Sequence, residues 1–483
     1  MVVVMDIYLH NTLSGKKEKF VPIREKEVGI YSCGPTVYWN QHIGHMYAYV
    51  EWDTLVRSLN YLGYQTKWVM NLTDVGHLTG DNLDDADTGE DKMEKGAKRE
   101  SLSVWEIADK YILQFKESLK SLNIKEPDVL CRATEHIPEQ INLIKKIEAN
   151  GFVYKTKTGL VFDTEKFPGY ADFAHLNLED QKAGSRVEVD LEKKKPWDFL
   201  LWITNQPNHI MKWESPWGVG FPGWHIECTA MSTKYLGETF DIHTGGKEHV
   251  PVHHTNEVAQ GFGAFGHQIA NYWLHNEWLM FDGQKISKSS GNSILVSDLI
   301  EKGFDPLALR YLIMTTHYKT GLNFTWESLT GTQTAYFKLK EIVANLKKKE
   351  AESPTELNKE IFEKYKKEFS ECLADDLNIA KGIGLVWQII KIKEINTKTK
   401  LELILDFDKV LGLKLDKVNP TAEILEEQIP AEVLDLKKER DTARLEKNWT
   451  KSDELRKEIE REGYILEDKE GKSILRKKLS PLV

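Results

Sequence analysis

Cysteine is scarce in this sequence. Only four cysteines occur in 483 residues, at positions 33, 131, 228 and 372. So few and so widely spaced thiols cannot build the disulfide framework of a small secreted domain, which leaves burial or metal binding as their uses.

Long apolar runs and an excess of basic charge are also missing. No stretch approaches the roughly 20 apolar residues of a membrane span, and no basic region followed by an apolar run opens the chain. We therefore expect a cytoplasmic protein with no membrane partner. Lys and Arg number 65 against 75 Asp and Glu, a net charge of −10. Any contact with nucleic acid must then come from a local basic face.

What is present is the composition of an ordinary globular protein. Hydrophobic residues make up 41% of the chain and charged residues 29%, which predicts a sizeable core and two to four domains. An apolar segment at 28–31 is followed by a helical pattern at 42–64 and a second apolar run at 66–74. This strand, helix, strand order predicts a parallel sheet with ligands at the carboxyl ends of its strands.

The remainder of the chain divides by pattern. Residues 81–98 are charged and contain glycine, which predicts a loop, and a helix is expected over 102–122. The pattern is irregular from 124 to about 216, as in an inserted subdomain. Helical periodicity dominates from residue 299, and no internal repeat is visible.

The first cluster with chemical potential is His42, Ile43, Gly44 and His45, at a predicted helix start. Free backbone N–H groups at a helix N-terminus suit phosphate, imidazoles can donate to phosphoryl oxygens, and glycine allows a nucleotide to approach. Taken alone, the motif is more simply explained as two surface histidines beside a helix-start glycine.

The second cluster is a Ser/Gly-rich loop with two lysines, KISKSSGN at 285–292. Lys285 and Lys288 could offset the charge that develops on a triphosphate during reaction, although a solvated basic loop is the simpler reading of this segment alone. The two clusters in this order resemble the paired HIGH and KMSKS signatures of class I aminoacyl-tRNA synthetases. Ile286 replaces the usual methionine, which is a conservative exchange.

The third cluster contains possible metal ligands. Two thiols, an imidazole and a carboxylate at Cys33, Cys228, His253 and Glu257 form a plausible zinc set, with simple burial of the cysteines as the alternative. These positions resemble the metal ligands of cysteinyl-tRNA synthetases. Thr255 stands where many members have glutamate, but it is not a ligand position.

Further segments extend the resemblance over nearly the whole chain. They are YSCGPTVY at 31–38, NLTD at 71–74, RATEH at 132–136, DFLLW at 198–202 and DDLN at 375–378. The resemblance implies that Thr73, Trp224 and His243 line a cysteine pocket, with core packing as their alternative role. Thr244 occupies a position where glycine is commoner, so the backbone near the adenylate is expected to adjust.

The implied fold is α/β, with a Rossmann-type parallel-sheet catalytic core, an inserted subdomain, an α-helical bundle and a small C-terminal anticodon-binding domain. We expect the first half of the core with the HIGH element at 1–123, the inserted connective subdomain at 124–216, the second half of the core with the zinc ligands at 217–280, the KISKS-loop stem-contact region at 281–322, the helical bundle at 323–415 and the anticodon-binding domain at 416–483.

The implied reaction joins cysteine to its tRNA in two steps. Cysteine attacks Mg²⁺-bound ATP to give cysteinyl-adenylate, and a terminal ribose hydroxyl of the tRNA then takes the cysteinyl group. His42, His45, Lys285 and Lys288 are expected to stabilise charge, with Gly44 and Lys288 contacting ATP. One zinc per subunit would bind the substrate thiolate, because packing alone rejects serine by only ~1–3 kcal/mol. We expect a monomer.

The C-terminal segment reverses the overall charge. Residues 437–483 contain 14 Lys and Arg against 11 Asp and Glu. A helix pair is predicted there with Trp449 in its turn, and phosphate contacts are expected from Arg440, Arg444, Lys447, Lys451 and Arg456. The segment resembles an anticodon-recognising tail, except that Ile474 and Leu475 occupy a region where tryptophan is common. A solvated charged hairpin is the alternative.

Two other functions remain open at this point. An enzyme that joins cysteine to the amine of a sugar-like acceptor resembles the same catalytic half, but it would need no long C-terminal RNA-binding region. An inactive RNA-binding or zinc-stabilised scaffold would be expected to lose the HIGH or KISKS residues, and both elements are intact.

Overall fold

The structure is a computed structural model of the chain. It describes residues 5–76, 78–79, 90–176, 192–286, 293–419, 430–469 and 472–477. Among the helices in these ranges, none has both the length and the apolar content required to cross a bilayer.

The described ranges contain strands and helices in alternation over the first two thirds of the chain and mainly helices thereafter. The strands are β1 (Tyr8–Asn11), β2 (Lys16–Lys19), β3 (Glu27–Ser32), β4 (Gln65–Leu72), β5 (Leu78–Thr79), β6 (Glu90–Asp91), β7 (Val129–Arg132), β8 (Val153–Lys155), β9 (Gly159–Phe162), β10 (Phe199–Thr204), β11 (Gly220–Pro222), β12 (Phe240–Gly246), β13 (Ala270–Asn276), β14 (Leu279–Phe281), β15 (Gln284–Lys285), β16 (Leu322–Phe324), β17 (Tyr464–Lys469) and β18 (Lys472–Lys477). The α-helices are α1 (Ile43–Tyr61), α2 (Lys92–Glu100), α3 (Val104–Ser121), α4 (Ile137–Ala149), α5 (Ile226–Leu236), α6 (Thr255–Phe265), α7 (Val296–Glu301), α8 (Pro306–Met314), α9 (Trp326–Glu352), α10 (Lys359–Ala374), α11 (Ile379–Lys391), α12 (Thr397–Leu411), α13 (Ala431–Leu445) and α14 (Trp449–Arg461).

Five parallel strands form the central sheet, in the order β13, β12, β3, β4 and β7. The predicted strand, helix, strand unit is therefore present as β3, α1 and β4. In the register of the sheet, Tyr31 of β3 lies opposite His243 of β12 and Val69 of β4. Because parallel strands share one direction, the loops after β3, β4 and β12 meet at the same edge.

One strand that falls within the predicted insertion belongs to the central sheet. Strands β8 to β11 form an antiparallel sheet in the order β11, β10, β9 and β8. Strand β7, which lies inside the predicted insertion at 124–216, instead pairs in parallel with β4 of the central sheet. Helix α4 packs on α5 and α6 of the core. The short apolar run of β7 could not show from sequence which sheet it joins, since its pairing partner is far away in the chain.

The loop predicted at residues 81–98 is wrong in part. Residues 81–98 were expected to form a loop, but residues 92–98 lie in helix α2. The Asp91 carboxylate accepts a hydrogen bond from the backbone N–H of Glu94 and caps this helix. Residues 80–89 lie outside the described residues.

Helix α1 is buried along most of its length, and one ion pair fastens it to the helical part of the chain. The guanidinium of Arg310, in α8, donates to the Asp53 carboxylate at 2.6 Å and to the carbonyl oxygen of Leu411 at 2.6 Å. Asp53 also accepts from Arg57 and from the backbone N–H of Lys125. Neither Asp53 nor Arg310 has an exposed side chain. Each charge is thus compensated inside the protein, as burial requires.

The C-terminal residues have a small core of their own. Helices α13 and α14 form the predicted helix pair and pack with the β17–β18 hairpin around a cluster of apolar side chains, Val433, Ile459, Tyr464, Leu466 and Leu475. This cluster is separate from the cores around the central sheet.

Arg310→Met is expected to lower the free energy of unfolding by about 3–5 kcal/mol, because it removes one partner of a buried ion pair and leaves backbone carbonyls without a donor. Denaturant unfolding measures this loss. Arg24→Met is the control, since the Arg24 side chain is 78% exposed and its ion pair is with Glu27, three residues away on its own segment. Equal stability of the two variants would contradict the structural role assigned to Arg310.

Candidate active site

The site is built at the edge where the central strands end. Cys33 follows β3 directly, and its backbone N–H donates to the carbonyl oxygen of Thr244 in β12 at 3.1 Å. The Thr244 hydroxyl lies 2.7 Å from the Ser32 hydroxyl. Thr244 at this position is therefore accommodated by a polar partner on the neighbouring strand, and both residues are buried.

Close approach of two backbones fixes the residue after Cys33 as glycine. A Cβ on Gly34 would lie 1.7 Å from the carbonyl oxygen of Asn71, a distance at which no side chain fits. The Gly34 N–H donates to the Asn71 side-chain oxygen at 2.7 Å. This contact holds the turn after β3 against the end of β4.

The four predicted metal ligands converge. The ligand atoms of Cys33, Cys228, His253 and Glu257 all lie within 4.8 Å of one another, and all four residues are buried. Cys228 is in the first turn of α5 and Glu257 in the first turn of α6, while His253 lies in the π-helical turn Val250–His254 before α6. This turn places His253 and Glu257 on the same side, with their ligand atoms 3.1 Å apart.

The donor set fits a zinc ion. A tetrahedral ion with bonds of about 2.0–2.3 Å holds its ligand atoms a little under 4 Å apart, which is comparable with the observed cluster. Burial raises the pKa of the Cys33 thiol. Burial also raises the pKa of the Cys228 thiol, and the neighbouring Cys33 raises it further. To ionise beside a carboxylate, the two buried thiols would need a cation that compensates the thiolates, and sulfur, nitrogen and oxygen are ligands that zinc accepts.

Two histidines flank the Glu257 carboxylate. Its Oε2 lies 2.9 Å from Nε2 of His243, and its Oε1 lies 3.1 Å from Nε2 of His253. Burial favours the protonated acid, but His243 and His253 outweigh this effect and hold the pKa of Glu257 at about 2. Burial disfavours a charged His253, yet Cys228 and Glu257 raise its pKa to about 10. Glu257 is therefore a carboxylate in the folded protein.

A second set of ligand atoms shares two members with the first. Cys33, His243, His254 and Glu257 also lie within 4.8 Å of one another. However, His254 Nδ1 is 2.6 Å from His275 Nε2, and the His243 ring stacks on Trp273 with centroids 4.3 Å apart. These contacts place His243 and His254 behind the Cys33 and Glu257 side chains, where they orient the ligands.

The predicted pocket residues occupy different positions around the cluster. Trp224 is half-buried, with its ring centroid 4.9 Å from that of His253, so it lies beside the candidate metal site. The Thr73 hydroxyl donates to the buried Glu227 carboxylate at 2.9 Å. His243 is fully buried. Direct contact of Thr73, Trp224 or His243 with a substrate stays a prediction.

The HIGH element forms the N-terminus of α1, as predicted. Nδ1 of His42 accepts a hydrogen bond from the Gly44 N–H at 3.1 Å and caps the helix. The ring centroids of His42 and His45 are 3.7 Å apart. A Cβ on Gly44 would lie 2.9 Å from the His42 ring. Glycine is therefore required for this cap as well as for access to the helix end.

The KISKS segment begins and ends beside this helix terminus. A Cβ on Gly44 would be 3.8 Å from the side chain of Ile286. On the other flank, the Ile43 N–H donates to the carbonyl oxygen of Ile294 at 2.8 Å. Both flanks of segment 287–292 thus contact the start of α1.

The side chains of the two lysines in this segment lie outside the described residues. The backbone of Lys285 belongs to β15, whereas its side chain and the whole of Lys288 lie outside the described residues. Their contact with a nucleotide stays a prediction.

Several buried polar residues of the site were not identified from the sequence. Nε2 of His254 lies 3.2 Å from the Cys33 sulfur, and Nδ1 of the same ring lies 2.6 Å from Nε2 of His275. Glu227 is fully buried and accepts from Thr73. In the sequence, these residues are marked only by their position next to a predicted metal ligand, since His254 follows His253 and Glu227 precedes Cys228.

Comparison with known proteins identifies the family. Residues 19–334 match the family of tRNA synthetases class I (C) catalytic domains. The cysteine–tRNA ligase of Treponema denticola is 44% identical to this chain over 98% of its length and 100% of that protein. The chain belongs to the cysteine–tRNA ligase family of class I tRNA synthetases. Members from Burkholderia lata (cysteine–tRNA ligase 1) and Thermus thermophilus are 42% and 38% identical, over 96% and 97% of this chain and 95% and 98% of those proteins.

The fold class predicted from the sequence is confirmed by a more distant class I synthetase. The solved structure of Mycobacterium tuberculosis methionyl-tRNA synthetase in complex with methionyl-adenylate matches with a TM-score of 0.55 at 13% identity, over 80% of this chain and 90% of that chain. At this identity the match shows a common fold only.

Gly34→Ala should reduce both the melting temperature and the content of bound divalent metal in this cysteine–tRNA ligase family member, because a methyl group cannot fit against the Asn71 carbonyl and Cys33 must move. Thermal unfolding and metal analysis of the same preparations measure the two effects. Gly331→Ala, a helical position with nothing within 4 Å, should keep its metal and be as stable as the parent or slightly more so. Full metal content in Gly34→Ala would show that the turn does not position Cys33.

Proposed function

We propose that this chain activates cysteine with ATP and transfers it to the 3′ end of cysteine tRNA, and that it selects cysteine through zinc. The single observation that carries the proposal is the buried Cys33, Cys228, His253 and Glu257 cluster. It lies at the strand edge that also carries the HIGH helix.

Cys33, Cys228, His253 and Glu257 would hold one zinc ion per subunit. When bound, zinc supplies direct coordination of the substrate thiolate, which a serine hydroxyl cannot match as a ligand. The chain itself excludes water from the cluster, since all four residues are buried. It also keeps Glu257 ionised through the contacts of its carboxylate with His243 and His253. A pocket that relied on size alone would reject serine by only ~1–3 kcal/mol.

ATP with Mg²⁺ would bind where the N-terminus of α1 meets the flanks of the KISKS segment. The free N–H groups of the helix suit the phosphates, and His42 and His45 can donate to phosphoryl oxygens. Lys285 and Lys288 would offset charge as the cysteine carboxylate attacks the α-phosphorus and pyrophosphate leaves. The tRNA ribose hydroxyl then attacks the activated carbonyl carbon and AMP leaves, so no protein nucleophile is required.

The C-terminal domain would recognise the tRNA anticodon, but not through every basic residue expected from the sequence. Arg440 is 2% exposed and makes a bidentate ion pair with Asp468, with both bonds at 2.7 Å. Arg440 therefore stabilises the domain core, and its predicted phosphate contact is wrong. Trp449 begins α14, and 59% of its surface is exposed. Its ring is available to stack on an unpaired base.

The decisive experiment is amino-acid-dependent pyrophosphate exchange with each of the twenty amino acids. Only cysteine should support exchange. Cys228→Ser should retain much less zinc and lose cysteine-dependent exchange, because an alcohol is a poor zinc ligand. Cys372→Ser, a change at a buried cysteine in helix α10 away from the cluster, is the matched control and should keep both properties. Exchange with serine, or zinc-free protein with full activity, would refute the proposed selection mechanism.

The role of the tail is tested by truncation after residue 419. This end point keeps Leu415 and Val418, which are buried against the helical bundle. We expect the truncated enzyme to retain cysteine-dependent exchange and to lose most tRNA charging.

In the full chain, Trp449→Ala should lower charging efficiency by about 5- to 100-fold, the range of one lost base stack. Trp105→Ala removes a similarly exposed tryptophan in α3 and should leave charging unchanged. If the truncated enzyme charged tRNA as well as the intact one, the tail would have no recognition role, and an acceptor other than tRNA would have to be considered.

A further inference from the structure

Lys92 carries a cation that the described residues leave without an acidic partner. It is the first residue of α2 and is half-buried. Its ammonium nitrogen lies 5.6 Å from the centroid of the Tyr38 ring and 5.9 Å from that of the Trp224 ring. Both distances are within the ~6 Å range of cation–π attraction, so the two rings hold the ammonium group between them.

Two acidic side chains close to Lys92 in the chain, those of Asp91 and Glu94, have other partners, and the side chain of Glu90 lies outside the described residues. The Asp91 carboxylate caps α2 through one oxygen, and its other oxygen lies 2.6 Å from Nε2 of His209. Glu94 accepts a hydrogen bond from the backbone N–H of Ile210 at 2.8 Å. Burial lowers the pKa of Lys92, and no carboxylate among the described residues opposes this shift. An anionic ligand would therefore restore the compensation that a partly desolvated ammonium group lacks.

The position of Lys92 indicates which anion this is. On one side Trp224 contacts the ring of His253 in the metal cluster. On the other side Tyr38 belongs to the segment 34–41, which runs from the cluster to the HIGH helix. Lys92 thus lies between the part of the site that would take the thiol and the part that would take the nucleotide.

We propose that Lys92 binds the α-carboxylate of the cysteine substrate. The inference rests on the proposed function, because in that reaction the carboxylate must lie between the thiol site and the α-phosphate. The carboxylate of cysteine is about 4–5 Å from its sulfur, and a charge-assisted hydrogen bond adds about 2.8 Å. A zinc–sulfur bond would add about 2.3 Å, and the centre of a coordinating imidazole lies about 3 Å from the ion, which gives a reach of about 12–13 Å from that ring centre. The Lys92 ammonium nitrogen is at most about 11 Å from the His253 ring centroid. A cysteine held by its thiol at the cluster can therefore reach it.

A purely structural role for Lys92 makes a different prediction. If the ammonium group only kept Trp224 in place, its loss would weaken every thiol ligand to the same extent. If it binds the carboxylate, its loss weakens cysteine selectively. Cysteamine, which is cysteine without the carboxylate, separates the two cases.

The test is calorimetric titration of cysteine and of cysteamine into the zinc-loaded, full-length protein and its variants. Lys92→Met retains the length of the side chain and its packing between the rings. It should weaken cysteine binding about 10-fold or more, the effect of losing a hydrogen bond between charged groups. Cysteamine affinity and zinc content should stay within twofold. Lys92→Arg should recover most of the cysteine affinity, and Lys120→Met, at an exposed position on α3, should behave as the parent.

Equal weakening of both ligands in Lys92→Met, or no weakening of either, would overturn the proposal. So would a parent protein that binds cysteamine as tightly as cysteine. These outcomes concern binding alone. Failure of cysteine-dependent pyrophosphate exchange in the parent would refute the proposed function, whereas selective loss of cysteine affinity in Lys92→Met would still support the carboxylate contact.

Discussion

Parallel pairing of β3 with β4 on one side and β12 on the other is the constraint on which the candidate active site depends. It brings the ends of three strands to one edge, where the Cys33 N–H donates to the Thr244 carbonyl oxygen and the Gly34 N–H donates to the Asn71 side-chain oxygen. The backbones approach so closely that a side chain at position 34 is excluded. The position of the Cys33 thiol is thus set by the register of the sheet, and it does not rely on a mobile loop.

The second requirement is electrostatic. Thiols, imidazoles and a carboxylate are buried together, and burial alone would keep each of them neutral. Glu257 nevertheless stays ionised because His243 and His253 contact its two oxygens. The cluster thereby presents a carboxylate beside nitrogen and sulfur donors in a region that excludes water. Such a donor set favours a thiophilic divalent cation and, through it, a substrate with a thiol.

Helix α1 connects this chemistry to the rest of the molecule. Its N-terminus carries the HIGH histidines, while its middle is tied to α8 and to the end of α12 through Asp53 and Arg310. The ends of the KISKS segment contact the same helix at Ile43 and Gly44. One rigid, buried element thus sets the position of the proposed nucleotide site relative to both the metal cluster and the helical bundle.

The sequence by itself indicated the fold class through local periodicity, and its motifs resemble those of a known family, which in turn implied the residues of the candidate metal cluster. It also indicated that the HIGH element begins a helix, which requires only neighbouring residues. Tertiary structure decided the rest. It paired β7 with the central sheet and buried Arg440 in an ion pair with Asp468. It also brought His243 into contact with Glu257 and Lys92 into contact with the rings of Tyr38 and Trp224. Each of these outcomes depends on partners from distant parts of the chain, and burial and compensation of charge exist only once those partners are packed together.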